Sequence, residues 1–188
     1  VQFALIWYLT VQTGSATVLA TASLVALLPN VILGPFVGTL VDRWDRRRIM
    51  LVSDTVIALA TIGLLVFFAL DAVDVWHIYV VLFIRSLFES FHANAMTAST
   101  SLMVPVEHLT RIQGINQMLS GGLNVISAPL GALLLSVLPM QGILAIDVIS
   151  ALFAIVPLLF VSIPQPERHS SSTEDDGQET VWQGVRAG

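Results

Sequence analysis

The sequence has no cysteine and no lysine, and it is poor in charge of either sign. Without cysteine there is no disulfide framework and no thiolate metal site, although the compartment stays open. Charged residues fill only 11% of the 188 positions, against roughly 25% in a soluble domain that must cover its surface. Thirteen acids against eight arginines leave a formal charge of -5, so the basic stripe of a nucleic-acid binder is missing. Three chemical signatures are absent as well: H-E-x-x-H for zinc, G-x-x-x-x-G-K-[ST] for ATP, and the G-x-S-x-G nucleophile elbow. These absences argue against a hydrolase or an ATP motor and call for no metal and no cofactor. What the chain does have is apolar surface, with 55% hydrophobic residues and a mean hydropathy of +0.84. Its natural solvent is a lipid bilayer.

A helix needs about 20 apolar residues to cross the hydrocarbon. Runs of that length fall at 17–40, 49–70, 77–103, 112–137 and 141–163, separated by short polar or proline-bearing breaks. Val1 to Thr10 is apolar but too short to span, and it lacks the basic start and cleavage site of a signal peptide. The simplest reading is a chain that begins inside a helix whose first half is missing, followed by five full helices.

Arginine placement orients the set. Arg43, Arg46, Arg47 and Arg48 lie between the second and third helices, Arg111 between the fourth and fifth, and Arg168 and Arg186 after the sixth. Alternating crossings put these segments, with seven of the eight arginines, on one side. The opposite loops hold none, and one of them carries Asp71 and Asp74. The positive-inside rule assigns the arginine side to the cytoplasm, as expected for a multi-pass plasma (bacterial inner) membrane protein.

The composition changes at Pro164. Pro164 to Arg168 stops the last helix. Residues 164–179 then read as a flexible acidic linker on the cytoplasmic side, and 180–188 as the start of an amphipathic helix leading to a missing second half. Residues 1–163 form the transmembrane unit.

That unit carries a weak internal repeat. Asp54, Ala58, Leu59, Ile62 and Leu65 in the third helix recur as Asp147, Ala151, Leu152, Ile155 and Leu158 in the sixth, 93 positions on. Pro35 and Pro129 stand 94 apart, each beside small residues. The third helix runs outward and the sixth inward, which suits two inverted three-helix repeats of the kind found in transporters.

The densest motif is Gly38-Thr-Leu-Val-Asp42-Arg43-Trp44-Asp45-Arg46-Arg47-Arg48. Glycine permits close helix approach, and an aspartate at the turn can pair with arginine or meet a helix N-terminus. Anchoring alone would explain Arg46 to Arg48, but not Gly38 and Asp42 at this spacing. Here the chain resembles the major facilitator superfamily, whose signature reads G-x-x-x-D-R/K-x-G-R/K-R/K. Gly38, Asp42, Arg43, Arg46 and Arg47 match, and Asp45 stands where the pattern has Gly. The D-R-W-D-R-R-R form after Leu33-Gly34-Pro35 is most similar to the drug-proton antiporter branch that includes macrolide-efflux and enterobactin-exporter-like proteins. The resemblance implies one half of an all-α, twelve-helix transporter that works by alternating access, with the motif gating the cytoplasmic side.

Arg85 lies well inside the fourth helix, with Glu89 one turn later on the same face. Charges in the membrane are costly and mark functional sites by default, although a structural pair joining helices would also explain them. The family has an arginine here, in R-x-x-Q-G, linked to proton transfer; Arg85 matches, whereas Phe88 and Glu89 replace Gln and Gly. Burial and the neighbouring guanidinium act on Glu89 in opposite senses, which can poise a carboxylate for proton exchange. Asp54 lies about a turn inside the third helix, within reach of the arginine cluster or Glu89. Asp147 is placed near the outer end of the sixth helix, where an aspartate commonly meets water. His92 is of a type that can titrate near neutrality, but a lone histidine on a helix is more often a hydrogen-bonded packing residue. In the fifth helix, Gly121, Gly122, Pro129 and Gly131 form a chain of small residues suited to close packing. The stretch Ala128-Pro129-Leu130-Gly131-Ala132 is a softened form of the antiporter signature G-P-x-x-G-G. Asn116, Gln117 and Asn124 add polar groups beside it.

The sequence thus points to a proton-coupled exporter of amphipathic small molecules. Its expected partners are the bilayer, a small-molecule substrate, protons and a second half of the same chain. A siderophore exporter or solute importer of the same fold, and a non-transporting polytopic scaffold, are the rival readings. Buried charges at Arg85 and Glu89 speak against the scaffold.

Overall fold

The computed structural model describes residues 1–160; within them the side chains of Pro35, Asp42, Arg43 and Leu159 fall outside the description. The linker and amphipathic segment expected at 164–179 and 180–188 also lie outside the described residues. The described chain is helical throughout, in the order α1 (Gln2–Thr13), α2 (Ala16–Arg43), α3 (Arg46–Ala69), α4 (Val75–Met103), α5 (Val106–Val137) and α6 (Met140–Phe160).

Among the described residues, four helices are long and apolar enough to cross a membrane, through Ala16–Gly34, Arg46–Ala69, Val106–Val137 and Met140–Leu158. The fourth helix has the length, at 29 residues. Its apolar character is diluted by Arg85, Glu89, His92 and the hydroxyl and amide side chains that follow. The first helix, at 12 residues, is as short as its sequence predicts.

Local chemistry sets the boundaries. Gly14 closes α1 in the left-handed region, with φ 59°, and its N–H donates to the Thr10 carbonyl at 3.0 Å. Ser15 then caps α2, its hydroxyl accepting from Val18 N–H at 3.4 Å. Only Trp44 and Asp45 separate α2 from α3, so α3 starts at Arg46 rather than at residue 49. Three arginines in a first turn oppose the positive end of the helix dipole; the Asp45 carboxylate offsets this by accepting Arg48 N–H at 3.2 Å. At the start of α4, Asp74 N–H donates to His77 Nδ1 at 3.0 Å. The fifth helix begins at Val106, six residues before its apolar run. Its first turns carry Glu107, His108 and Arg111, which helical geometry tolerates and hydropathy does not register.

Two apolar cores lie at opposite ends of the bundle. One joins Ala4, Leu5 and Leu9 of α1 to Leu64 and Phe68 of α3, Ile78, Val81 and Leu82 of α4, and Met140, Ile143 and Leu144 of α6. The other joins Val37 and Val41 of α2 to Ile49 and Met50 of α3 and Ala95 of α4. In lipid these contacts hold by close packing rather than by exclusion of water. On α3 and α4 five buried polar residues lie between the two cores: Ser53, Thr61, Arg85, Ser86 and Ser90. Asn30 of α2 joins this layer by donating to Ser86 Oγ at 3.2 Å. The sixth helix packs on α3, and the fifth touches only α1 and α6 to any extent.

Candidate functional site

The polar layer is organised by Arg85. It lies ten residues along α4, and Asp147 seven residues along α6, so both sit about 10–15 Å from the helix ends at 1.5 Å per residue. Arg85 Nη1 donates to Asp147 Oδ2 at 2.6 Å and to Thr61 Oγ1 at 2.9 Å, and Nη2 reaches Asp147 Oδ1 at 3.5 Å. The single Thr61 hydroxyl proton has two acceptors in range, Asp147 Oδ2 at 3.1 Å and the Ile57 carbonyl at 2.9 Å. Glu89 Oε1 lies 3.5 Å from Nη2. The Arg85 side chain is nine-tenths buried, whereas that of Glu89 is 46% exposed, and the buried Arg85 Nε has no hydrogen-bond partner among the described residues.

This arrangement corrects the order of partners expected from sequence. The short, charge-assisted bond goes to Asp147 on another helix, and the intrahelical Glu89 is the looser second carboxylate. Asp147 lies two turns from the start of α6, farther from the helix end than its sequence position suggests. Asp54 pairs with His92 of α4, Oδ1 to Nε2 at 3.5 Å. A cavity of about 260 Å³ brings the groups together, lined by Asp54, Arg85, Glu89, His92 and Asp147 with Ser150 beside them. Three carboxylates and one guanidinium give it a formal charge of -2 when His92 is neutral. Such a site gains from taking up a proton or another cation.

The basic motif forms a second feature at the α2–α3 corner. Arg46 is buried and donates from Nη1 to the Ala98 carbonyl of α4 at 3.0 Å. Arg47 Nε donates to the Leu158 carbonyl of α6 at 3.0 Å. Both carbonyls belong to the C-terminal parts of their helices, where a cation also meets the negative end of the dipole. Arg46 and Arg47 are therefore clamps between helices and more than surface anchors. Gly38 is not a close-approach site among the described residues, since a Cβ there would meet nothing within 4 Å. The Asp42 and Arg43 side chains lie outside the description. Beside the corner, Trp44, Ile49, Val52, Phe88 and Phe91 line a larger apolar cavity of about 460 Å³ that Arg48 also borders.

Among the described residues, the packing expected along α5 is met at one position. Gly131 packs on Phe3, where a Cβ would fall 2.7 Å from Cδ1. Gly121 and Gly122 face open space, and Pro129 is exposed inside an unbroken helix. No described residue of α5 is buried. Sequence reasoning missed Thr61 and named neither Asp147 as the partner of Arg85 nor Asp54 as the partner of His92. The match of Asp54 and Asp147 across the repeat was the signal for Asp147; nothing in the pattern singles out Thr61.

Comparison with known proteins bears on this site. The Major Facilitator Superfamily description matches residues 1–187. Macrolide efflux protein A of Streptococcus pyogenes is 43% identical over 164 residues, covering 87% of this chain and 40% of that protein. Macrolide efflux protein A of Enterococcus faecalis is 42% identical over 152 residues, covering 81% of this chain and 47% of its own length. The uncharacterized MFS-type transporter YkuC of Bacillus subtilis is 28% identical over 147 residues, covering 78% of this chain and 34% of that one. The chain thus spans less than half the length of these curated relatives. No solved structure gives a significant match. Helical architecture, basic corner, buried mid-helix arginine and family match agree: the chain belongs to the major facilitator superfamily.

Proposed function

We propose that this chain is the N-terminal half of a secondary active exporter that moves amphipathic, macrolide-like molecules outward by alternating access, driven by protons. Relatives named for macrolide efflux support the direction and the substrate class. The observation that carries the coupling is Arg85, buried at mid-helix between Asp147 and Glu89 on the wall of a cavity rich in carboxylates. A membrane protein bears the cost of such charges where they move ions or substrate. Protonation of Glu89 frees Arg85 from its looser partner while Asp147 holds it in place. Loss of the proton restores the pair.

In this reading residues 1–163 form two inverted three-helix repeats, 164–179 is a cytoplasmic linker, and 180–188 leads into the second half. The packing of α3 on α6, with Asp54 and Asp147 on one cavity, supports the repeat. The second half covers the apolar face of α5 that includes Met118, Leu123 and Val125. The arginine corner faces the cytoplasm of a plasma membrane, and Gly38, Asp42, Arg43, Arg46 and Arg47 gate that side. The test is macrolide transport by the full chain in everted vesicles, with and without an imposed pH gradient. Rates that ignore the gradient would remove proton coupling, and no macrolide movement at all would remove the exporter.

A further inference from the structure

We infer that His92 and Asp54 form a proton relay that carries the proton from Glu89 toward the arginine-rich end of the bundle. The inference rests on the proton-coupled reading above and adds a route to it. The fourth helix runs toward that end, so Arg85, Glu89 and His92 are met in that order along one face, each one turn apart. Asp54 approaches from the opposite direction, eight residues into α3. Its Oδ1 lies 3.5 Å from His92 Nε2. Both groups are partly open to the cavity that Glu89 and Arg85 line. The titratable and charged groups facing His92 on this wall are Asp54 from α3, Arg85 and Glu89 from α4, and Asp147 from α6.

The division of labour follows from the contacts. Asp147 is committed to Arg85 at 2.6 Å and acts as a fixed counter-ion. Glu89 is the loosely held carboxylate. Histidine is the side chain suited to passing a proton near neutrality, and a carboxylate on one ring nitrogen holds the imidazolium while it exists. The Glu89 carboxylic acid gives its proton across the cavity to the neutral imidazole, leaving a carboxylate that pairs again with Arg85. The imidazolium, held by the Asp54 carboxylate, then releases one proton to water at the basic end and returns to the neutral ring. One proton enters and one leaves, with no change in electron count.

The experiment uses the full chain in everted vesicles with a macrolide antibiotic as probe. Gradient-driven transport is compared with downhill exchange in the absence of a gradient, at matched protein levels. His92→Ala is expected to lower driven transport by at least about tenfold, a modest share of what a positioned proton carrier contributes, while downhill exchange is kept. Added imidazole should restore the driven rate. His92→Asn keeps a hydrogen-bonding group beside Asp54 but cannot carry a proton, so it should fail in the same way and serves as the test if the alanine variant is poorly inserted. A driven rate like wild type in His92→Asn would overturn the relay and leave proton coupling standing. Equal loss of driven and downhill transport in His92→Ala, without imidazole rescue, would make His92 a packing residue and also overturn it. Indifference of the unsubstituted protein to the gradient would remove the coupled reading itself.

Discussion

Replacing Asp147 by alanine removes the strongest partner of a buried charge, and the structure sets how much that should cost. The Arg85 side chain is 10% exposed and bonds Asp147 at 2.6 Å. Breaking one side of a buried pair costs about 3–5 kcal/mol, because the remaining charge is left uncompensated. Two features push the value to the lower end: Asp147 is 20% exposed, and Glu89 stands 3.5 Å away to take part of the load. A loss of about 3 kcal/mol corresponds to a fall in Tm of roughly 6–12 °C for a unit of this size. Asp147→Asn keeps an acceptor for one Nη and should lose only about 1–2 kcal/mol. The double variant Arg85→Leu, Asp147→Leu removes both charges and should recover to within about 1 kcal/mol of the parent. The assay is thermal unfolding of the detergent-purified full chain, followed by the loss of monodisperse protein on size exclusion. Asp147→Ala within about 2 °C of wild type, or a double variant as unstable as the two single changes added together, would refute the reasoning.

Three further outcomes are expected. Asp42→Asn should impair transport and leave membrane insertion intact, because insertion depends on the arginines and on hydropathy; vesicle uptake set against protein abundance checks this. Glu89→Gln fixes the side chain in a form that cannot exchange a proton, so gradient-driven efflux should fail while downhill exchange survives, as read in the same vesicles. Gly131→Val drives methyl groups into the Phe3 ring, already 2.7 Å from a built Cβ. It should cost about 1–3 kcal/mol, and Phe3→Ala should relieve most of that in a thermal-stability cycle.

Much of the architecture was legible because its signals are local. Long apolar runs give the helices of a membrane protein, and Gly14, Asp45 and Asp74 mark their ends by turn and cap chemistry. Arg85 stood out because a charge within an apolar run is costly and must be paired, whether for structure or for function. Its partner did not, since Asp147 lies 62 residues away and periodicity on α6 says nothing about which neighbour that face meets. His92 resembled a packing residue for the same reason: only the crossing of α3 and α4 brings Asp54 to it. The glycines of α5 find fewer neighbours than their spacing suggests. Small residues mark a face able to pack closely, and Gly121 and Gly122 have no neighbour there among the described residues.

The spacing of Arg85 and Asp147 along the chain also shapes how the protein is made. At about 5–20 residues per second, the 62 residues between them take roughly 3–12 seconds to synthesise. Throughout that interval Arg85 lacks the counter-ion that will finally hold it. Thr61 has already emerged on α3, and Glu89 follows Arg85 by only one turn. These two groups accompany the charge until α6 arrives. A ribosome stalled before Asp147 would therefore leave Arg85 with Thr61 and Glu89 as the partners already synthesised.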